Sequence, residues 1–142
     1  MESVKNSIKK HEGFRNKVYK DTLGKRTIGY GHLCVEDWWE DDKEYPEAQL
    51  DRIFDKDFEK AKDGASKLYE GCEINDTAKG VIIEMVFQLG TTGVSKFKNM
   101  WKALKETPPN YSVAKIEMLD SRWAKQTPNR AKELSDTIGE IV

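Results

Sequence analysis

The chain has 142 residues, of which 37% are hydrophobic, 35% charged and 10% aromatic, and its 24 basic and 25 acidic side chains leave a formal net charge of −1. Its 4 Trp, 5 Tyr and 5 Phe are too many aromatics for a solvating disordered chain, and the length suits one domain burying about two-thirds of its unfolded surface. No apolar run exceeds three residues, against the roughly 20 of a membrane span, and residues 1–6 lack the apolar stretch of a secretory signal.

Ser3 reads as the N-cap of a first helix of about two turns, with Val4 and Ile8 on one face and Gly13 as its end. From Lys17 the period changes. Val18, Tyr19, Thr27, Ile28 and Tyr30 are β-branched or aromatic, and Asp21-Thr22-Leu23-Gly24 is turn chemistry, so a small hairpin or meander is predicted. Gly29 and Gly31 around Tyr30 mark a bulge, a sharp bend or a close approach of ligand to backbone. In the acidic stretch that follows, Trp38 and Trp39 either cover the small sheet, the preferred reading, or face a ligand.

After Pro46 a strong helix begins, with Leu50, Ile53, Phe54, Phe58 and Ala61 at helical spacing. A second follows Asn75-Asp76 through Ala78, Val81, Ile82, Met85, Val86 and Leu89, stopped by Gly90. Val94, Phe97, Trp101 and Leu104 mark a further helix closed by Pro108-Pro109, and Val113 to Trp123 a weaker one. Thr127 as N-cap with Pro128 in the first helical position opens the last helix, through Ala131, Leu134 and Ile138. Six helices and one small sheet make the class α+β.

Charge is distributed unevenly. Residues 1–33 carry 8 basic and 3 acidic groups, residues 34–63 carry 5 and 12, and the remainder 11 and 10. The basic first quarter suits an anionic polymer, but no basic-aromatic ladder of the kind that reads nucleic acid is present, so nucleic acid is not an expected partner. Cys34 and Cys72 are far apart and the only histidines are His11 and His32, which points to reduced thiols and no metal site.

Two carboxyls stand out. Glu12 ends the first helix and Asp21 sits in the turn of the neighbouring hairpin, which lets them face one another across a cleft beside the sheet. Glycoside hydrolysis needs such a pair, one protonated to donate to the leaving oxygen and one ionised to activate water or attack carbon. Spacing alone does not separate this from two solvated acids among 25.

The run His11-Glu12-Gly13-Phe14-Arg15, then Val18 to Gly24, then Thr27 to Leu33, resembles the catalytic signature of the phage-type lysozymes of glycoside hydrolase family 24. Two later blocks resemble that family in the same order, Met85 to Gly90 with Thr92-Gly93-Val94, and Ser121-Arg122-Trp123 with Gln126 to Lys132. The resemblance implies a single two-lobed lysozyme domain over residues 1–142. Its small hairpin lobe would be about 13–46, its helical lobe about 1–12 and 64–142, and its connecting helix about 47–63.

It also implies an enzyme without cofactor that hydrolyses the β-1,4 bond between N-acetylmuramic acid and N-acetylglucosamine in peptidoglycan, with inversion. In that scheme Glu12 is the general acid, Asp21 activates water and Thr27 positions it, which requires carboxyls about 6.5 to 9.5 Å apart. Leu33, Phe87 and Gln88 would contact substrate, Phe87 being also a natural core residue on its periodic helix face. Arg130 would pair structurally with the catalytic glutamate, and its charge would favour loss of the glutamate's proton unless burial or a neighbouring carboxylate compensates. His32 and Asp57 would form a structural ion pair.

A monomer without stable membrane association follows by the same resemblance, held in a host cytoplasm before it reaches the wall. The alternatives within reach are a lytic transglycosylase on the same bond and a non-catalytic wall-binding module. The chain departs from the family in a shorter, acidic stretch after His32, which implies fewer sugar subsites. It departs also at Met100 and Glu117, where the family has small polar groups, so those contacts do not carry over.

Overall fold

The computed structural model describes all residues, Met1–Val142. The chain forms two compact units, Met1–Lys60 and Ala61–Val142. The first holds α1 (Glu2–Glu12), β1 (Arg15–Lys20), β2 (Arg26–Gly29), β3 (His32–Leu33) and the start of α2 (Glu47–Tyr69). The second holds the end of α2 and then α3 (Asp76–Ser95), α4 (Lys98–Leu104), α5 (Tyr111–Leu119), α6 (Arg122–Gln126) and α7 (Pro128–Gly139). No helix is long and apolar enough to cross a membrane. The architecture is α+β, with seven helices rather than six and a third short strand in the sheet.

In the first unit the strands run in the order β1-β2-β3, all antiparallel. Tyr19 pairs with Thr27 and Thr27 with Leu33, while Ile28 pairs with His32. Because alternate residues of a strand face opposite sides, Tyr19, Thr27 and Leu33 form a row on one face and Ile28 and His32 belong to the other. The Ile28 face is buried in a cluster with Trp39, Tyr45 and Leu50, against which Val18, Cys34 and Ile53 pack. Trp39 meets Tyr45 edge to face at 4.8 Å, so it covers the sheet, whereas Trp38 is 56% exposed. The preferred reading therefore holds for Trp39 alone, which is sheet cover.

Helix α1 starts at Glu2 with Met1 as its uncapped N-cap and runs 11 residues, so Ser3 lies inside it and caps nothing. The resemblance places this helix with the helical lobe; its Lys5 and Lys9 side chains pack within the first unit. Lys5 lies over the Phe58 ring and Lys9 over Tyr30 and Phe54, with ammonium-to-ring distances of 5.0 to 5.1 Å. Such contacts combine cation–π attraction with burial of the lysine stems. On α2, Leu50, Phe54 and Phe58 are almost fully buried on one stripe, each contributing about 1.5–3 kcal/mol.

The second unit is built around α3, in which Val81 to Val86 are all buried. The Asn75 side chain caps it, accepting from the Ala78 N–H at 2.9 Å. Gly90 adopts φ +81° and ψ 160°, a conformation that side-chain-bearing residues avoid, and breaks the helical geometry there; a further helical segment follows directly to Ser95. Trp101 ties the next helix back by donating its indole N–H to the Val94 carbonyl at 2.9 Å.

The helix predicted over Val113 to Trp123 is two. The first ends at Leu119, and Ser121 caps the second through a 3.1 Å bond from the Ala124 N–H. Serine competes for backbone hydrogens and so restarts a helix more readily than it continues one. Thr127 precedes Pro128 as expected but makes no capping bond, because its hydroxyl donates to the Trp123 carbonyl at 3.1 Å.

Candidate active site

The turn between β1 and β2 is organised by Asp21. Its Oδ1 accepts the N–H groups of Leu23 and Lys25, both at 2.9 Å, so the carboxylate substitutes for a backbone acceptor and closes the turn. Asp21 lies two residues beyond Tyr19 and so continues the face that carries Thr27. Thr27 is 3% exposed, and its hydroxyl donates to the Lys25 carbonyl at 2.9 Å. Its only proton is thereby committed, and toward any further partner the oxygen acts as an acceptor.

Glu12 enters from the C-terminal end of α1 and rests on the β2–β3 turn. Gly31 there has φ +78°, and a Cβ added to it would lie 2.5 Å from Glu12 Oε1. Both the backbone conformation and the carboxyl position thus require glycine. Gly31→Ala is expected to lower the melting temperature through about 1–2 kcal/mol of strain and to cut activity at least tenfold by displacing the carboxyl. Calorimetry with a wall-lysis assay checks both.

The Tyr19 phenol is pushed above its usual value of 10.0, first by burial and then by the negative charge of Glu12, with Asp21 and Cys34 adding and Arg15 opposing. Arg15 places its guanidinium 4.7 Å from the centre of that ring. No group of three or more His, Cys, Asp or Glu side chains is arranged to hold a metal ion.

His32, on the opposite face of the sheet, lies between two carboxylates. Its Nδ1 donates to Asp57 Oδ2 at 2.7 Å and its Nε2 to Glu36 Oε1 at 2.9 Å, and Glu36 Oε1 also accepts the Trp39 indole N–H at 2.7 Å. Hydrogen bonding to Asp57 first, opposed by burial and reinforced by Glu36, raises the His32 pKa from 6.5 to about 9. Burial works against ionisation of Glu36, but the bonds from Trp39 and His32 hold its carboxyl below the usual range. Sequence reasoning did not single out Glu36; its position four residues after His32 in an acidic run gave no signal.

A histidine whose pKa is raised on folding stabilises fully below about pH 6.5 and loses that stabilisation as pH climbs through about 9. Glu36 contributes with the opposite sign, its share being lost on acidification through its lowered value. With the His32 side chain 14% exposed, the histidine contribution at pH 7 is on the order of 2 kcal/mol. His32→Asn is expected to lower the melting temperature by about 6 °C at pH 6. The gap to the parent should close toward pH 10, with activity below the transition changed by less than threefold. Calorimetry across pH checks the first point, and a pH-independent gap would contradict it.

In the first unit, then, Glu12, Asp21, Thr27 and exposed Leu33 accompany the sheet, with His32 and Asp57 joined on its other side. Phe87, Gln88 and Arg130 belong to the second unit. Phe87 and Gln88 are half-buried on α3. Gln88 is held at both ends of its amide, Oε1 accepting from Trp123 Nε1 at 2.8 Å and Nε2 donating to Thr127 Oγ1 at 3.4 Å. Arg130 donates through Nε to Glu84 Oε2 at 2.9 Å, a pair in which the side chains are only 9% and 2% exposed. Glu84 was not read from the sequence, since it sits in the apolar run of α3. Met100 and Glu117 line a cavity of about 520 Å³ with Phe97, Trp123 and Arg122.

Comparison with known proteins adds independent findings. The phage lysozyme family model matches residues 9–136. Among curated proteins the chain is 30% identical to probable T4-type lysozyme 2 of Dictyostelium discoideum, over 93% of the chain and 91% of that protein. It is 30% identical to probable T4-type lysozyme 1 of the same organism, over 96% and 93%. It is also 27% identical to the pre-baseplate central spike protein Gp5 of Enterobacteria phage T4, over 94% of the chain but 27% of that protein.

Proposed function

The chain belongs to the phage lysozyme family and is a glycoside hydrolase of the lysozyme type, and from that premise we propose how it acts on peptidoglycan. Glu12 gives its proton to the oxygen bridging N-acetylmuramic acid and N-acetylglucosamine as the bond from that oxygen to the anomeric carbon breaks. A water held by Thr27 attacks the same carbon from the opposite side and yields its proton to Asp21. The carbon inverts, and each half of the glycan leaves with a hydroxyl. Leu33, Phe87 and Gln88 contact the glycan, while Arg130 and the His32–Asp57 pair hold structure around the chemistry.

The observation that carries this reading is one small sheet that holds Asp21 in its first turn, Thr27 on the strand that follows, and the Glu12 carboxyl against Gly31 of its second turn. The bonding of the other two residues is in keeping with it. Asp21 spends one oxygen on the turn, leaving the second to act as base, and Thr27 offers only lone pairs to a water.

The test is the identity of the first product. Purified peptidoglycan is expected to yield hydrated reducing ends that form as the α anomer, followed by proton NMR within the mutarotation time. A β anomer would contradict inversion, and anhydro ends by mass spectrometry would identify a transglycosylase instead. Asp21→Asn should cut the rate by at least 100-fold with the fold intact, about the lower end of what a positioned general base supplies.

A further inference from the structure

The sheet face that carries Thr27 holds one more polar group for which the steps above have no use. Tyr19 stands directly opposite Thr27 in the β1–β2 register and precedes Asp21 by two residues. The three side chains therefore leave the same face at the turn end of the hairpin, with Tyr19 and Thr27 Cβ atoms about 5 Å apart. The Tyr19 ring is braced by the Arg15 guanidinium at 4.7 Å, yet its hydroxyl makes no hydrogen bond within the protein.

The hydrogen count around the attacking water makes that hydroxyl informative. Asp21 is an acceptor, with Oδ1 already taken by two backbone N–H groups. Thr27 has given its proton to Lys25, so it too is an acceptor. A water between them places one proton on each, and neither residue can engage its lone pairs. Such a water is free to pivot about its two hydrogen bonds. A single donor aimed at one lone pair would stop the pivot and direct the other lone pair to the anomeric carbon.

We propose that the Tyr19 hydroxyl is this donor, a third ligand of the attacking water beside Asp21 and Thr27; the inference rests on the roles given to those two residues. As the new carbon–oxygen bond forms, one water proton passes to Asp21 and the other stays on the product hydroxyl, while Tyr19 keeps its own. The groups facing the phenol favour this state. Burial first, and then the Asp21 carboxylate, hold the proton on it against Arg15, so it remains a donor at any pH at which the carboxylates work. Donation weakens the nucleophile slightly, but loss of orientation in a reacting pair costs far more.

Tyr19→Phe keeps the ring under Arg15 and removes only the donor. Steady-state kinetics on soluble peptidoglycan fragments should show kcat lowered by about 10- to 100-fold with KM within twofold and the melting temperature within 2 °C of the parent. A kcat within threefold of the parent, or a loss expressed in KM, would overturn the proposal, since a residue that binds sugar or merely packs would produce one of those. Asp21→Asn measured alongside separates the two levels of the argument. If it remains active, the water site itself is misassigned. If it is inactive while Tyr19→Phe is not, only the role of Tyr19 falls.

Discussion

Glu12→Gln is expected to abolish wall clearing, with a rate at least 1,000-fold below the parent, near the upper part of the range for a positioned acid. The substitution is isosteric. Glutamine fills the volume of the carboxyl against Gly31, where the space is too tight for even one additional carbon, so the β2–β3 turn keeps its neighbour. What changes is the proton: an amide N–H is far too weak an acid to protonate a glycosidic oxygen as its bond to carbon breaks. Turbidity of a wall suspension measures the rate, and calorimetry verifies a melting temperature within about 3 °C. A folded variant that clears walls within tenfold of the parent would remove Glu12 from the mechanism.

Gly31→Ala provides the matching control, because it retains the proton donor and moves it. Loss in both variants ties activity to the chemistry and the position of one carboxyl. Loss in the glutamine variant alone would mean that the carboxyl tolerates displacement.

What the sequence disclosed about this region follows physical lines. Turn chemistry at Asp21 to Gly24 and β-branched residues on either side are local signals, and the hairpin is where they put it. The periodic stripe of α2 was equally plain, since Leu50, Phe54 and Phe58 repeat every four residues and are buried together. The site required more. A spacing of nine residues between Glu12 and Asp21 has no meaning until a register is known, and the register of β1 on β2 depends on pairing that no single strand encodes. Tyr19 was legible only as a strand residue. Its position opposite Thr27 exists only in the folded hairpin.

Caps were the least legible feature. Ser3 has a capping side chain but lies inside its helix, and Thr127 stands at the N-cap without capping, while Asn75, Asn110 and Ser121 do cap. The hydroxyl of Thr127 is drawn into a tertiary arrangement with Trp123 and Gln88. Local propensity loses there to partners that lie far along the chain. Glu84 is a harder case, because a carboxylate within six consecutive buried positions of α3 contradicts the helix's own pattern.

That contradiction sets the second large effect, which is on stability. Glu84 is 1% exposed and Arg130 8%, and the arginine Nε meets the carboxylate at 2.9 Å. Two ions taken out of water are tolerable as a pair but expensive singly. Glu84→Gln preserves shape and removes the charge that meets the Arg130 Nε, so the folded state should lose about 3–5 kcal/mol, equivalent to a fall in melting temperature of roughly 10 °C. Arg130→Met removes the other half of the pair, taking the guanidinium from the buried Glu84 carboxylate, and should cost as much. Combining them removes both charges. The double variant Glu84→Gln with Arg130→Met should therefore be more stable than the sum of the single losses by at least about 1 kcal/mol. Urea unfolding of the four proteins measures the cycle. Additive losses would mean that the two side chains act through separate neighbours. Coupling of the expected sign would show that a carboxylate in the apolar run of α3 is retained because an arginine 46 residues later in the chain needs it.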